Sequence, residues 1–280
     1  MTAVLAIASA LLVGGADFIG GFLSRAVSPV RVAAIAQAIG LLLAMPAALV
    51  VDADRVTGAD AAWSAGSGVA VGLGLVVFYT AMTRGLISLV APVAAVTGAV
   101  VPVVYALASG ERPGATAVVG IVLAVVAIGL VSLAPDQSPI APEAGLGALP
   151  LAFAAGLLFG LFYVCLARVH EDAGMWPVAI SRVASAAVVV ALALAATRGI
   201  AVSRPLVPRI ALIGVLEVGA AVTLLLALQR GPISVASVLA SLYPVTTTFL
   251  AALVLHERLR GLQLAGVGLA LVAVALVSSA

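Results

Sequence analysis

Apolar residues fall in ten runs of about 20 residues, the length of helix that spans a 30 Å hydrocarbon layer. The runs cover 3–24, 31–51, 63–83, 87–109, 114–134, 147–168, 177–197, 210–229, 233–255 and 261–279. Short breaks rich in Pro, Gly, Asp or Arg divide them, most clearly at Asp52–Asp60, Gly110–Gly114, Pro135–Gly145, Val169–Trp176 and Arg198–Arg209. The joints after Arg84 and Arg230 are only a few residues wide. Backbone groups in lipid must find partners within their own segment, so runs of this length predict helices; barrel strands would be shorter and would alternate. Trp63 and Trp176 stand at span starts, where interfacial aromatics sit.

Composition fits that pattern. Of 280 residues, 64% are hydrophobic and 9% charged, with a mean hydropathy of +1.33. A soluble domain is about 25% charged. So little polar surface cannot cover a water-facing globule, so the solvent is a lipid bilayer. The net charge is only +2, and all 13 basic residues are Arg. No basic run supplies the electrostatic footprint of a nucleic-acid binder. The N-terminus lacks the basic region of a cleaved signal peptide and reads as the first span. A P-loop needs a Lys, and there is none. His256-Glu257-Arg258-Leu259-Arg260 starts like the zinc motif H-E-x-x-H but has Arg where the second His belongs. With Cys165 the single cysteine, two His and no G-x-S-x-G elbow, no cofactor, metal or catalytic constellation is expected.

An internal repeat organises the chain. A shift of 146 sets Arg84-Gly85-Leu86-Ile87-Ser88 on Arg230-Gly231-Pro232-Ile233-Ser234, and Glu111-Arg112 on Glu257-Arg258. Gly120–Ala134 then runs beside Gly266–Ala280. Apolar composition explains some matches, but not two charged pairs in one register. Each repeat holds five spans. Five is odd, so the second repeat enters the membrane from the opposite side, the inverted-topology arrangement of many secondary transporters.

Two five-helix repeats, each with a Glu closing its fourth span (Glu111, Glu257) before an apolar fifth span, resemble the EamA family of the drug/metabolite transporter superfamily. Ser241-Leu242-Tyr243-Pro244-Val245, with Glu257 thirteen residues after Pro244, is similar to that family's fourth-helix pattern. The first repeat departs from it: Gly98 stands opposite Pro244, and Pro102 follows four residues later. The resemblance implies an all-α membrane protein of ten transmembrane helices in two inverted five-helix repeats. The first would cover 1–135 and the second 147–280, joined by a linker at 136–146. It also implies transport of a small-molecule substrate (amino acid, metabolite or drug) without ATP, by a multi-pass monomer or homodimer of the cytoplasmic membrane. An uncoupled facilitator or channel, or a membrane enzyme on lipid-linked substrates, are the alternatives. The family places both termini in the cytoplasm. The Arg distribution disagrees. With the termini inside, outer loops would hold Arg25, Arg31, Arg84, Arg198, Arg204, Arg209, Arg258 and Arg260, and inner loops only Arg55, Arg112, Arg168 and Arg230.

Charged side chains inside the bilayer cost about 2.5–3.5 kcal/mol on insertion scales and usually face an interior cavity. Asp17, Arg182 and Glu217 lie inside spans. Arg182, five residues past Pro177, is close enough to a span end to snorkel; Glu217 is too deep to reach water. Depth along the normal favours an Arg182–Glu217 pair over Arg182–Asp17. Gln37 in span two, equivalent to Arg182 at a shift of 145, and Tyr243 in span nine are further cavity candidates, with Tyr79 and Tyr163 nearer span ends. Pro92, Pro102 and Pro244 free carbonyls inside spans four and nine, so both should line the path. Glu111 and Glu257 are expected to be architectural, each closing a helix end beside an Arg.

Asp17 sits in Gly14-Gly15-Ala16-Asp17-Phe18-Ile19-Gly20-Gly21-Phe22-Leu23-Ser24-Arg25. This stretch resembles the first helix of the small multidrug resistance family, where a membrane-embedded Glu precedes Ile-Gly and a later basic residue. The resemblance implies that Asp17 binds a proton and then a cationic or zwitterionic solute, although Asp reaches less far than Glu. Phe162 stands at the equivalent place in the second repeat, so such a site would be single. The alternative is a packing hydrogen bond to a neighbouring helix.

Overall fold

The computed structural model describes residues 1–24, 26–51, 53–84, 87–132, 147–197, 199–254 and 261–278. The linker expected at 136–146, and Glu257 within His256–Arg260, lie outside the described residues.

Eleven α-helices cover the ten spans among the described residues. They are α1 (Thr2–Ser24), α2 (Pro29–Val50), α3 (Gly58–Arg84), α4 (Ile87–Ala108), α5 (Ala115–Ser132), α6 (Leu149–Ala167), α7 (Trp176–Thr197), α8 (Val207–Gln229), α9 (Ile233–Ala240), α10 (Tyr243–Val254) and α11 (Gly261–Ser278). Short 3-10 turns at Glu171–Ala173 and Arg204–Leu206 join the two sides of α7 to their neighbours. Prolines open several helices: α2, α6 and α8 each carry one in the first two positions, where a missing N–H breaks no bond. Six helices (α1, α2, α3, α6, α7, and α8 with its leading turn) are long and apolar enough to cross a membrane; the other four spans are shorter apolar stretches within 93–108, 115–130, 233–247 and 264–277. The distribution of polarity matches a lipid solvent. Leu42, Val104 and Leu271 are 72%, 59% and 68% exposed, whereas Asp17, Arg182 and Glu217 are buried.

The contacts repeat across the two halves. Helix α1 packs on α8 as α6 packs on α3; α1 packs on α9 and α10 as α6 packs on α4; α2 packs on α8 as α7 packs on α3. Two pairs of equivalent helices pack on each other, α5 on α11 and α2 on α7. Both pairs are antiparallel. Gly120, early in α5, lies against Val277, late in α11. Arg31, at the start of α2, donates to the Thr197 carbonyl at the end of α7 at 3.0 Å. Equivalent helices running in opposite directions make the repeat inverted.

One close approach is made twice. Gly68 on α3 faces the Ser181 carbonyl of α7, and Gly214 on α8 faces the Ala36 carbonyl of α2. A methyl group on either would overlap that oxygen, so these helices meet backbone to backbone.

The ninth span departs from the expected single helix. It breaks at Ser241–Leu242 into α9 and α10 because Pro244 has no N–H for the Ala240 carbonyl and its ring would collide with that group. Helix α4 has Gly98 at the matching place and stays continuous. Glu111 also differs in detail. The helix end it closes belongs to the other repeat: its carboxylate accepts the Ile233 N–H at 2.9 Å, the Ser234 N–H at 3.3 Å and the Ser234 hydroxyl, capping α9.

Helices α1 and α11 put the described ends of the chain on one face. Thr2 Oγ1 donates to the Arg230 carbonyl at 2.9 Å, while Arg84 ends α3 on the opposite face. With Cys165 replaced, single cysteines at Arg84 and Arg230 should therefore react with an impermeant thiol reagent from opposite sides of the membrane. Gly68→Ala and Gly214→Ala should each destabilise the fold by about 1–3 kcal/mol of overpacking, read as a lower melting temperature in detergent. Gly129→Ala, which meets nothing within 4 Å, should leave it unchanged.

Candidate functional site

Three helices deliver the polar centre. Arg182, in the second turn of α7, is 5% exposed, and Glu217, at the middle of α8, is 9% exposed. Arg182 Nη1 donates to Glu217 Oε2 at 2.9 Å and Nη2 donates to the Glu217 carbonyl at 2.7 Å. Gln37, fully buried on α2, ties both ions together. Its amide donates to Glu217 Oε2 at 2.6 Å, and its carbonyl accepts from Arg182 Nη1 at 2.7 Å. Gln37 and Arg182 are repeat mates that meet where α2 crosses α7, on the pseudo-twofold axis. The pairing expected from depth is present, and Arg182 stays in the interior rather than snorkelling to the interface.

Beside this network lies a cavity with about 610 Å³ of empty space, part of it open to solvent. Asp17, Tyr163, Arg182, Glu217 and Tyr243 all line it, so five of the seven predicted site residues share one wall. Gln37 stands behind the ion pair. Tyr79 falls outside the lining; it is buried, its hydroxyl sits against Gly20 and has no partner. Phe159, Phe162 and Ser9 also line it, and Phe159 and Ser9 had no distinguishing signal as cavity residues in the sequence. Ser9 spends its hydroxyl on the Ala220 carbonyl, at 3.0 Å.

Two groups in the cavity are left without partners. The Tyr243 hydroxyl is buried and makes no hydrogen bond. Asp17, 6% exposed, has no hydrogen bond or ion pair among the described residues. It lies within electrostatic reach of Glu217 and of the Tyr79, Tyr163 and Tyr243 hydroxyls. Arg182 and Glu217 cancel each other's charge, so an ionised Asp17 leaves the cavity with one net negative charge. That charge can be answered by a bound proton or by a cationic group on a ligand. A packing hydrogen bond, the other reading of this residue, is absent here. No cluster of three or more potential metal ligands occurs among the described residues.

Removing one member of a buried ion pair strands the other and costs about 3–5 kcal/mol. Arg182→Met and Glu217→Gln should each reduce folded yield and melting temperature more than the double substitution does. Additive losses in that double-mutant cycle would contradict the coupling.

The EamA-like transporter family model matches residues 1–133 and again 146–279, one match for each half of the chain. No curated protein matches it. A solved structure titled "Crystal structure of protein" is 20% identical, with a TM-score of 0.77 over 99% of this chain and 96% of that one, a likeness that speaks for the fold alone. Two family matches span nearly the whole sequence and coincide with the inverted repeat seen in the helices: the chain belongs to the EamA-like transporter family.

Proposed function

We propose that this protein is a proton-coupled secondary transporter that moves a small organic solute, cationic or zwitterionic, across the cytoplasmic membrane, with Asp17 as the coupling group. One observation carries the reading: a buried carboxylate without a partner opens onto a cavity whose other two charges already neutralise each other. A charged carboxylate in a low-dielectric cavity is costly unless something positive joins it. Proton and ammonium group meet that need equally and cannot both be held by one carboxylate. Loading one therefore favours release of the other, which is the exchange a coupled carrier requires. The inverted repeat supplies the second requirement, two related halves that can open the cavity to either face in turn. Arg182, Glu217 and Gln37 hold the wall in place. Tyr243 offers its free hydroxyl to the solute, and Tyr163 with Phe159 and Phe162 gives the solute's apolar part a surface to lie on.

The test uses proteoliposomes enclosing a pH-sensitive dye and a panel of amines and amino acids added outside. Wild-type protein should couple entry of at least one solute to proton exit, read as internal alkalinisation. Asp17→Asn should fold with an unchanged elution profile and lose the coupled signal at least tenfold. Solute-driven proton movement of equal rate in Asp17→Asn would remove Asp17 from the role. Solute flux that is insensitive to pH in both proteins would favour an uncoupled facilitator.

A further inference from the structure

The face on which α1 begins carries a second set of polar contacts, well away from the central cavity. Asp60, in the first turn of α3, is 1% exposed. Its Oδ2 accepts the Thr57 N–H at 2.9 Å and the Thr57 hydroxyl at 2.5 Å, while the Asp60 N–H donates to Thr57 Oγ1 at 3.1 Å. This reciprocal pairing is a capping box that opens α3. A cap needs no more than that. Asp60 Oδ1 nevertheless reaches into the other repeat, where it accepts the His170 N–H at 3.0 Å and meets His170 Nδ1 at 2.8 Å. His170 belongs to the turn after α6. The same two segments touch again where the Arg55 N–H donates to the Asp172 carbonyl at 3.2 Å, and where the Arg168 guanidinium lies over Trp63 at 5.6 Å.

The contact has no counterpart across the pseudo-twofold axis. The positions equivalent to Thr57 and Asp60 hold Ser203 and Leu206, and the position equivalent to His170 is Arg25, which lies outside the described residues. Leu206 can accept nothing, and Ser203 makes no side-chain cap. Among the described residues, the two matching halves are therefore stitched by a carboxylate–imidazole pair on one face only.

We propose that Asp60 and His170 form a proton-sensitive latch that fastens the two repeats together on the face where α1 begins when His170 is protonated. The imidazole side chain is 69% exposed on that face, while its partner is 1% exposed. A protonated ring presents Nδ1–H and a positive charge to the carboxylate. A neutral ring keeps the bond only in its Nδ1–H tautomer; in the other tautomer a lone pair faces Oδ1. Loss of the proton thus weakens the one side-chain tie between these segments that titrates. The other ionisable groups here are Asp54 and Arg55 on the first segment, and Arg168, Glu171 and Asp172 on the second, with Tyr105 of α4 accepting from Arg168 at 3.3 Å. That such a latch would set which face opens rests on the transporter reading above; the latch itself does not.

The test reads the gap between the segments, without any substrate. In a Cys165→Ser background, spin labels at Val56→Cys and Glu171→Cys report the distance in lipid nanodiscs between pH 5 and 8. The short-distance population should fall as pH rises, changing the ratio of closed to open about two- to fivefold, the range for an ion pair with one exposed partner. His170→Gln should abolish the pH dependence, and His170→Arg should keep the short distance at every pH. A pH-independent distance in the wild-type background, or an unchanged pH dependence in His170→Gln, would overturn the latch. Neither result bears on Asp17, because proton coupling is read by flux and the latch by distance.

Discussion

A guanidinium in the interior of a lipid-spanning bundle cannot be left alone, and much of this protein follows from how Arg182 is answered. Its partner Glu217 comes from the next helix, and Gln37 comes from the other repeat to bond both. Each of the three needs the other two within hydrogen-bond reach, so α2, α7 and α8 are drawn into one packed unit. The glycines make that possible. Gly214 brings α8 onto the backbone of α2, and Gly68 does the same for α3 and α7. An interior ion pair adds little net stability compared with apolar packing, but it penalises every arrangement that separates its members. In a bundle of interchangeable Ala, Val and Leu side chains, that penalty specifies which helix faces inward.

The same solvent constraint made most of the fold legible in the sequence. Ten apolar runs, a charged register repeating at a shift of 146, and an odd number of spans per repeat together imply the inverted architecture. Depth alone paired Arg182 with Glu217, since a short carboxylate at mid-span has few cations within reach. What escaped was tertiary. Glu111 is readable as the residue that ends a helix pattern, but that it caps α9 of the opposite repeat depends on where the halves meet. Thr57-x-x-Asp60 is a capping-box spacing, yet nothing local announces His170 as a third partner. Tyr79 is a candidate by residue type, although nearer a span end; it falls outside the cavity lining, with its hydroxyl against Gly20 of α1.

The two halves share a scaffold and differ in their polar residues. Repeat mates Gln37 and Arg182 meet on the axis, one neutral and one charged. Two arginines there would repel, and two glutamines would leave Glu217 without a counter-charge. Asp17 likewise occurs in one half, with aromatic residues in the corresponding turn of α6. The close approach at Gly68 and Gly214 is thus duplicated, whereas, among the described residues, the Arg182–Glu217–Gln37 network and the Asp17 carboxylate each occur once. Symmetry in backbone packing allows the halves to exchange similar conformations. Asymmetry in charge leaves the cavity with one carboxylate that the Arg182–Glu217 pair does not answer.

The broken ninth span shows how one residue difference between repeats becomes a structural difference. With Pro244 in place, the helix cannot pass through Ala240, and the chain turns at Ser241–Leu242 before restarting at Tyr243. The Ser241 N–H still reaches the Ser237 carbonyl at 2.9 Å, and the Leu242 N–H reaches Leu239 at 3.2 Å, so the turn is tight and few backbone groups are orphaned. Thr247 then ties the new helix to α1, donating within reach of both the Gly14 carbonyl at 3.2 Å and the Tyr243 carbonyl at 3.1 Å. Gly14 permits that contact, and Asp17 lies one turn further along the same helix. The restart at Tyr243 and the carboxylate of Asp17 are consequently held against a common piece of backbone, α1 between residues 14 and 17. Helix α4, with Gly98 in place of proline, runs on unbroken and offers no such restart. The half that lacks the acid on its first helix supplies the break on its fourth, and the half that carries the acid keeps its fourth helix whole; Asp17 from the one and Tyr243 from the other line the same cavity.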